Sequence, residues 1–349
     1  MSTIATRPAG ALLVGSVPLE DADAVIRTAT AHLGGHLRRI PDGETGERTI
    51  WVTWQQGVFA THPDLEEEPP VEGQYAPFPR YRLRAGTDPA RLRFGDLGYA
   101  EVALRSYARF AEVKRTGAVP TRMRFQVSLP TPISPLNNFA ALDERALLEP
   151  AYEDALLREV DAIASAIPHD ELAVQWDIAF EMGFLEGLAD MMFTAWWDDV
   201  LRGSVERIIR ATERVPADVE VGHHLCYGDF GHQHFVQPSD AGRLVQLANA
   251  IHAETTRPIA WLHLPVPRER TDAAYFAPLA DLRLHPETEL YLGLVHLTDG
   301  EEGTLARIAA AQEVVGAFGV ATECGFGRRD PASVAPLLDL HAAVADPVS

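Results

Sequence analysis

The chain has 349 residues, of which 46% are hydrophobic and 23% charged, a composition typical of a folded globular protein with ample core. Its formal net charge of −20 argues against nucleic acid and membrane as partners, because both require a basic surface. It contains only two cysteines, which excludes a disulfide framework and leaves either inert core residues or residues with chemistry.

Targeting signals are not apparent in the sequence. Residues 1–10 contain one arginine and no long apolar region, and no run of 18 apolar residues occurs anywhere. We therefore expect neither a signal peptide nor a membrane span, and a cytoplasmic location.

Short apolar runs rich in β-forming residues recur along the chain, each followed by a turn and a helical pattern, which predicts repeated βα units. The strands are predicted near Ala11–Gly15, His36–Pro41, Arg122–Ser128, Glu171–Asp177, Asp218–His224, Pro258–His263, Glu289–His296 and Phe318–Thr322. About eight parallel strands close a barrel. The predicted fold is a single (β/α)8 TIM barrel in one domain spanning residues 1–349.

Helical patterns separate these strands, and several begin at a capping residue such as Asp21. The helices are predicted at Asp21–Leu33, Tyr152–Ala166, Ala189–Glu213, Asp240–His252, Glu302–Phe318 and from Pro331 onward. Residues 51–119 have two proline-rich patches and no clear strand. We expect them to form an insertion after the second strand that folds over the barrel mouth.

Both cysteines follow predicted strands, where barrels of this kind place their catalytic groups. His224 and Cys226 form a His-x-Cys pair after one strand, and Cys324 follows the last strand. Thiolates combined with imidazole favour Zn²⁺ over Mg²⁺ or Ca²⁺. If each cysteine is considered by itself, the alternative to metal binding is a packing role as a small buried apolar residue.

Three further strand ends carry titratable residues. Glu44 is suited to accept a hydrogen bond from a substrate amine, or else is a solvated turn carboxylate. Asp177 ends an apolar run, where an unpaired carboxylate is costly unless it has a function. His296 is either a general acid or base or a hydrogen-bonded structural histidine.

At these residues the chain resembles the catalytic C-terminal barrel of cobalamin-independent methionine synthase and its superfamily, which includes zinc-dependent alkyl-thiol transferases. The matching motifs are Gly15-Ser16-Val17-Pro18, Gly43-Glu44 with Arg48, Gln175-Trp176-Asp177, His224-Leu225-Cys226-Tyr227 and Cys324-Gly325. The resemblance covers most of the chain. It implies a TIM barrel whose zinc binds the sulfur of homocysteine, which attacks a methyl group on a folate.

The resemblance also implies a role for each matching residue. His224, Cys226 and Cys324 would be zinc ligands, and Ser16 would hold the substrate carboxylate. Glu44 and Asp177 would bind the amino group of the substrate, and His296 would assist proton transfer.

The sequence departs from the family pattern at three points. The N-terminal half of the classical synthase has no counterpart, as in short core forms. The fourth ligand of the family is a glutamate, where this chain has His263, so either His263 replaces the carboxylate or the site has three protein ligands. Residues 129–135 lack the Gly-Pro-Val-Thr motif of the family. This difference weakens the case for a folate as the methyl donor.

These features together predict a zinc-dependent transferase that alkylates, by methylation, a small amino-acid-like thiol. Two thiolates and two neutral imidazoles give a zinc site of zero net charge, compared with −1 when a glutamate replaces one imidazole. This indicates a less electron-rich thiolate, suited to a more activated electrophile than a methyl-folate. The alternatives are an enzyme that forms or cleaves a carbon–sulfur bond with an electrophile such as an epoxide, and a zinc-binding barrel without catalysis.

Overall fold

A computed structural model describes residues 7–68, 78–188, 190–228 and 233–348. The strands are β1 Arg39–Pro41, β2 Leu65–Glu68, β3 Arg80–Leu83, β4 Arg124–Pro130, β5 Leu172–Ile178, β6 Glu220–Leu225, β7 Trp261–Pro265, β8 Glu289–Gly293 and β9 Gly319–Val320. The helices are α1 Ala22–Leu33, α2 Gln56–Ala60, α3 Tyr99–Arg115, α4 Ile133–Phe139, α5 Arg145–Ala166, α6 Phe180–Glu186, α7 Val200–Arg214, α8 Gly242–Glu254, α9 Ala273–Phe276, α10 Gly300–Gln312 and α11 Val334–Val344.

The main sheet is parallel, in the order β1-β4-β5-β6-β7-β8-β9, with β2 and β3 forming a separate antiparallel pair. Helices cover its outer face side by side, α1 against α3, α3 against α5, α5 against α7 and α7 against α8, and α11 packs against both α10 and α1. The strands are parallel because each helical crossover on the outer face returns the chain to the same end of the sheet.

A buried arginine shows that the sheet is curled. Arg39 on the edge strand β1 binds Glu220 on β6 at 2.6 Å and Glu289 on β8 at 2.8 Å. In a flat sheet β1 and β8 would lie about 24 Å apart, at roughly 4.8 Å per strand, far beyond the reach of one side chain. The described sheet is therefore a curled seven-strand half-barrel surrounded by helices.

The predicted first strand, Ala11–Gly15, is not a strand of this sheet. Ala11 forms isolated parallel bridges to Leu37 and to Val320, next to the two edges of the sheet. Gly10, at φ 78°, is outside the extended conformation just before Ala11, and residues 12–15 form no further bridge in the described chain. The described strands thus support an α/β half-barrel, and the eighth strand of the predicted barrel is present only as these bridges.

Two helix predictions need correction. The predicted helix Ala189–Glu213 begins at a residue outside the described ones, and the α-helix that the structure describes within these bounds, α7, starts only at Val200, after α6 has ended at Glu186. Gly187, at φ 66°, ends α6, and the Asp199 side chain caps α7 by accepting a hydrogen bond from the Arg202 amide. The predicted helix Glu302–Phe318 ends at Gln312.

Residues 51–119 contain more regular structure than predicted. Of the two proline patches, residues 69–77 lie outside the described residues. The remainder includes α2, the β2–β3 hairpin and α3, so the prediction of no strand is wrong. The Glu159 carboxylate on α5 accepts hydrogen bonds from the amides of Leu97, Gly98 and Ala100, which fixes the start of α3 within the helical layer.

In the part of the chain that the structure describes, no helix has both the length and the apolar composition needed to cross a membrane.

We predict that Gly222→Ala destabilises the fold. A Cβ at Gly222 on β6 would lie 2.0 Å from the Trp261 ring on β7, which the Arg39 guanidinium covers at 4.3 Å. Overpacking of this kind costs about 3 kcal/mol. Chemical denaturation measures the loss. Gly57→Ala is the control, because a Cβ at Gly57 on α2 meets no atom within 4 Å; equal stabilities of the two variants would contradict the packing.

Candidate functional site

Two strand ends bring His224, Cys226 and Cys324 together. His224 lies on β6, Cys226 follows that strand, and Cys324 follows β9. The Cys226 amide donates to the Ile178 carbonyl at 2.9 Å, which extends the strand pairing as far as the thiol. The potential ligand atoms of the three residues lie within 4.8 Å of one another, and this is the metal-compatible cluster found among the described residues.

The donor set and its spacing fit a tetrahedral metal ion. The Cys226 and Cys324 sulfurs are 3.7 Å apart. Two sulfurs bound to one zinc at about 2.3 Å with a tetrahedral angle lie about 3.8 Å apart. His224, Cys226 and Cys324 therefore form a possible metal site, with a soft donor set that zinc prefers.

His263 lies beside this cluster, with both ring nitrogens engaged. Its Nδ1 is 2.7 Å from His224 Nδ1, and its Nε2 is 3.0 Å from the Thr322 carbonyl oxygen. Burial lowers the pKa of His224 well below its usual range, and burial lowers the pKa of His263 to about 4. Both imidazoles are neutral near pH 7, as metal coordination requires.

Glu44 and Asp177 form a buried carboxyl pair in the same pocket. Glu44 has φ 47° in the turn after β1, and its amide donates to Asp42 Oδ1 at 2.9 Å. Asp177 at the end of β5 accepts hydrogen bonds from Gln175 Nε2 at 2.9 Å and from Trp51 Nε1 at 3.0 Å. The contacts to Gln175 and Trp51 orient the Asp177 carboxyl, whereas the Asp42 contact holds the turn that carries Glu44.

Burial is the main electrostatic influence on this pair. It raises the pKa of Glu44, and the nearby Asp177 raises that pKa further. Burial also raises the pKa of Asp177, against the lowering by the Gln175 hydrogen bond. The pair resists carrying two negative charges, and a bound cation would relieve this resistance.

Ser16 borders the same pocket and is held by the loop that follows Cys324. The Gly327 amide donates to Ser16 Oγ at 3.2 Å, and the Phe326 amide donates to the Ser16 carbonyl at 2.6 Å. A Cβ at Gly325 would lie 2.4 Å from Ser16 Oγ, so only glycine allows the two segments to approach this closely.

The pocket has a polar base and an apolar wall. Its base is formed by Ser16, Glu44, Asp177, His224, Cys226 and Cys324. Its wall includes Ile50, Trp51, Phe78, Phe180 and Phe235. The ring of Trp51 stacks on Phe180 at 6.3 Å between centroids. This arrangement suits a small polar molecule on the polar residues, with an apolar group bound next to it against the aromatic rings.

His296 lies in a neighbouring polar cavity, away from the carboxyl pair. This cavity is lined by residues that include His234, Glu323 and Arg268, and it shares Cys324, Gly325 and Arg328 with the first pocket. His296 Nε2 is 2.9 Å from the Val266 carbonyl oxygen, and its Nδ1 is 3.9 Å from Glu323 Oε1. Burial lowers the pKa of His296.

Sequence patterns missed two residues of the site. Trp51 was assigned only to the predicted insertion, although its indole donates to Asp177. Arg328 lines both cavities, and its Nη2 is 3.9 Å from the Cys324 sulfur. The run Cys324-Gly325-Phe326-Gly327-Arg328 places this arginine four residues beyond the thiol, and that short spacing is the signal in the sequence.

The proteins found to be similar to this chain are solved structures with a similar fold. No protein-family model and no curated protein matches the chain. A B12-independent methionine synthase from Shewanella sp. W3-18-1, solved in complex with selenomethionine, is similar with TM-score 0.62 and 14% identity, covering 97% of this chain and 96% of the neighbour.

Two other solved structures are similar. One is a putative vitamin-B12 independent methionine synthase from Listeria monocytogenes, with TM-score 0.54, 15% identity, and coverage of 98% of this chain and 99% of that chain. The other is a methyltransferase from Methanosarcina mazei, with TM-score 0.53, 10% identity, and coverage of 98% and 94%. The predicted resemblance to B12-independent methionine synthases is thus confirmed at the level of the fold.

We predict that the reduced protein binds about one equivalent of Co²⁺ with a thiolate-to-metal charge-transfer band, measured by absorbance titration. Cys226→Ser and Cys324→Ser should each weaken binding by more than about 100-fold, because removal of an outer hydrogen-bond partner alone costs 10–100-fold. His252→Gln, at a buried histidine on α8, is the control and should bind normally. Unchanged binding in both cysteine variants would contradict the proposed ligand set.

Proposed function

We propose that this protein is a zinc-dependent transferase that activates an amino-acid-like thiol, similar to homocysteine, and alkylates its sulfur, in the leading case by methyl transfer. The observation that carries the proposal is the placement of a His-Cys-Cys cluster in one pocket with Ser16 and the buried carboxyl pair. The structural neighbours support it, since two are described as B12-independent methionine synthases and one as a methyltransferase.

The protein residues account for recognition of an amino acid. Glu44 and Asp177 would bind the ammonium group, whose charge allows both buried carboxyls to ionise. Ser16, which lines the same pocket, would donate to the carboxylate of the substrate. The selenomethionine in the Shewanella neighbour is itself an amino acid with a methylated chalcogen, which is consistent with a product of this type.

His224, Cys226 and Cys324 would hold Zn²⁺. A zinc ion keeps a coordinated thiol deprotonated near neutral pH while leaving it nucleophilic. The apolar side chains of the pocket would limit the access of water to the sulfur, and the strand ends would hold the ligands in place before metal enters. In the adjoining cavity, the Nδ1 of His296 would exchange a proton with the product or leaving group. Glu323 lies near this nitrogen.

The surroundings of the site complete the proposal. We propose that Ala11 and its neighbours close the half-barrel as an eighth strand, since Ala11 bridges to both sides. We also propose that residues around Trp51, within the 51–119 segment, cover the pocket mouth in a single-domain protein. Trp51 and Ile50 already line the pocket, and Trp51 contacts Asp177 directly.

A second candidate function is carbon–sulfur bond formation with another electrophile, such as an epoxide. The apolar wall of Trp51, Phe78, Phe180 and Phe235 favours it, because these side chains offer apolar contact and few polar partners to a donor. A zinc-binding protein without catalysis accounts for the metal cluster but not for the carboxyl pair beside it.

The zinc-loaded enzyme should consume homocysteine in the presence of a suitable donor. We would follow thiol loss by a colorimetric assay and products by mass spectrometry, comparing 5-methyltetrahydrofolate with propylene oxide. Turnover with the folate supports methyl transfer, and turnover with the epoxide supports the second candidate. Cys226→Ser should abolish either reaction. Retention of full activity in metal-free Cys226→Ser protein would overturn the zinc mechanism.

The carboxyl pair should govern affinity for the substrate amine. We expect Glu44→Gln and Asp177→Asn each to weaken homocysteine binding to the zinc-loaded protein by roughly 10–100-fold, since a hydrogen bond to a charged group contributes about 1.5–3 kcal/mol. Calorimetry measures the affinity. The matched control ligand is 4-mercaptobutanoate, which keeps the thiol and carboxylate and lacks the amine, and its affinity should change little.

The same pair predicts a pH dependence of amine recognition. Because the carboxyl pKa values are raised, wild-type protein must release a proton to bind the ammonium group. The affinity ratio of homocysteine to 4-mercaptobutanoate should therefore rise as pH increases from 6 to 8. The ratio removes the effect of thiol ionisation, which both ligands share. A ratio independent of pH would show that the pair is already ionised in the free protein.

A further inference from the structure

His263 contacts His224 of the metal-compatible cluster, and both of its ring nitrogens have hydrogen-bond partners. The Thr322 carbonyl oxygen, 3.0 Å from His263 Nε2, can only accept a hydrogen bond, so Nε2 carries the proton. In a neutral imidazole the other nitrogen is then an acceptor. The Nδ1 of His263 therefore presents a lone pair.

That lone pair determines the tautomer of His224. The two Nδ1 atoms are 2.7 Å apart, and two acceptors or two N–H groups cannot face each other at this distance. His224 Nδ1 must carry the proton and donate it to His263. His224 Nε2 is then the unprotonated nitrogen, which is the form that binds a metal ion.

The same contacts link two of the segments that carry ligands. Thr322 Oγ1 donates to the Cys324 carbonyl at 2.6 Å, and the Thr322 carbonyl accepts from His263. His263 on β7 is in register with His224 on β6. The position of the Cys324 loop and the ring orientation of His224 are thus coupled through one histidine.

We infer that His263 is a positioning residue that fixes the tautomer and ring orientation of His224, and that it is not the fourth ligand. This inference rests on the proposed zinc function and revises the ligand role predicted for His263. It leaves three protein ligands and an open fourth position, the arrangement that catalytic zinc sites keep for substrate. Hydrogen bonds to metal-bound histidines of this kind typically change metal affinity by 10–100-fold.

X-ray absorption on the zinc-loaded wild-type protein without thiol tests the ligand count. We expect two sulfurs, one imidazole and one further light atom from solvent. Two imidazoles per zinc would overturn the inference while leaving the proposed function standing. Absence of stoichiometric zinc would overturn the proposed function, and the inference with it.

Histidine ¹⁵N NMR on the metal-free protein gives a second readout that does not depend on activity. In wild-type protein His224 should be the Nδ1–H tautomer and His263 the Nε2–H tautomer. His263→Leu should release His224 into a tautomer mixture and weaken zinc binding by about 10–100-fold. An Nε2–H tautomer for His224 in wild-type protein would contradict the inference.

His263→Gln is the conservative variant, since its side-chain oxygen can accept from His224 Nδ1. It should restore much of the zinc affinity that His263→Leu loses, with one imidazole per zinc in both. Loss of one imidazole on substitution, relative to wild type, would identify His263 as a ligand. If His263→Leu does not fold, as judged by circular dichroism, the wild-type absorption and NMR results decide the question.

Discussion

The site depends on the close approach of two cysteine sulfurs in a buried pocket. Cys226 and Cys324, almost a hundred residues apart in sequence, lie 3.7 Å from each other at the ends of β6 and β9. Two thiolates at this distance repel strongly unless a cation lies between them, because the pocket offers little solvent screening. The curled sheet imposes the approach, since strands that are separated in the sheet order converge on its interior.

The same pocket gathers a second set of acidic groups. Glu44 and Asp177 are buried beside the thiols, and Cys324 raises the pKa of Asp177. Arg328 already lines this pocket, and two thiols and two carboxyls would need further positive charge before all four could ionise. A divalent metal ion and the ammonium group of an amino acid would supply it, and each would favour binding of the other. The charge arrangement therefore connects metal binding to substrate choice without any contact between the two cations.

Much of this arrangement follows from local patterns in the sequence. Apolar runs ending in polar residues locate the strands, and His224, Cys226 and Cys324 converge because parallel strands end at the same edge. The first predicted strand is present only as bridges at Ala11, and residues 190–199 interrupt the helix predicted from Ala189, which begins only at Val200 as α7. Such breaks depend on backbone torsions, which residue types indicate only weakly.

The site details that escaped the sequence are matters of side-chain direction. His263 lies at the predicted strand end, but only three-dimensional contacts show that its nitrogens face His224 and Thr322. Trp51 contacts Asp177 although more than a hundred residues separate them in sequence, and His296 lies in a neighbouring cavity that shares Cys324 with the first pocket. Residue type and spacing identify chemistry at a strand end, whereas the orientation of each group depends on neighbours from the whole fold.

Under the proposed function, a zinc ion held by His224, Cys226 and Cys324 would bind the sulfur of an amino-acid thiol. The most direct measurement is zinc X-ray absorption before and after addition of homocysteine, with methionine as the ligand that lacks a thiol. The account predicts that the sulfur count rises from two to three with homocysteine and stays at two with methionine. A count that remains at two with saturating homocysteine would contradict thiol activation at this metal.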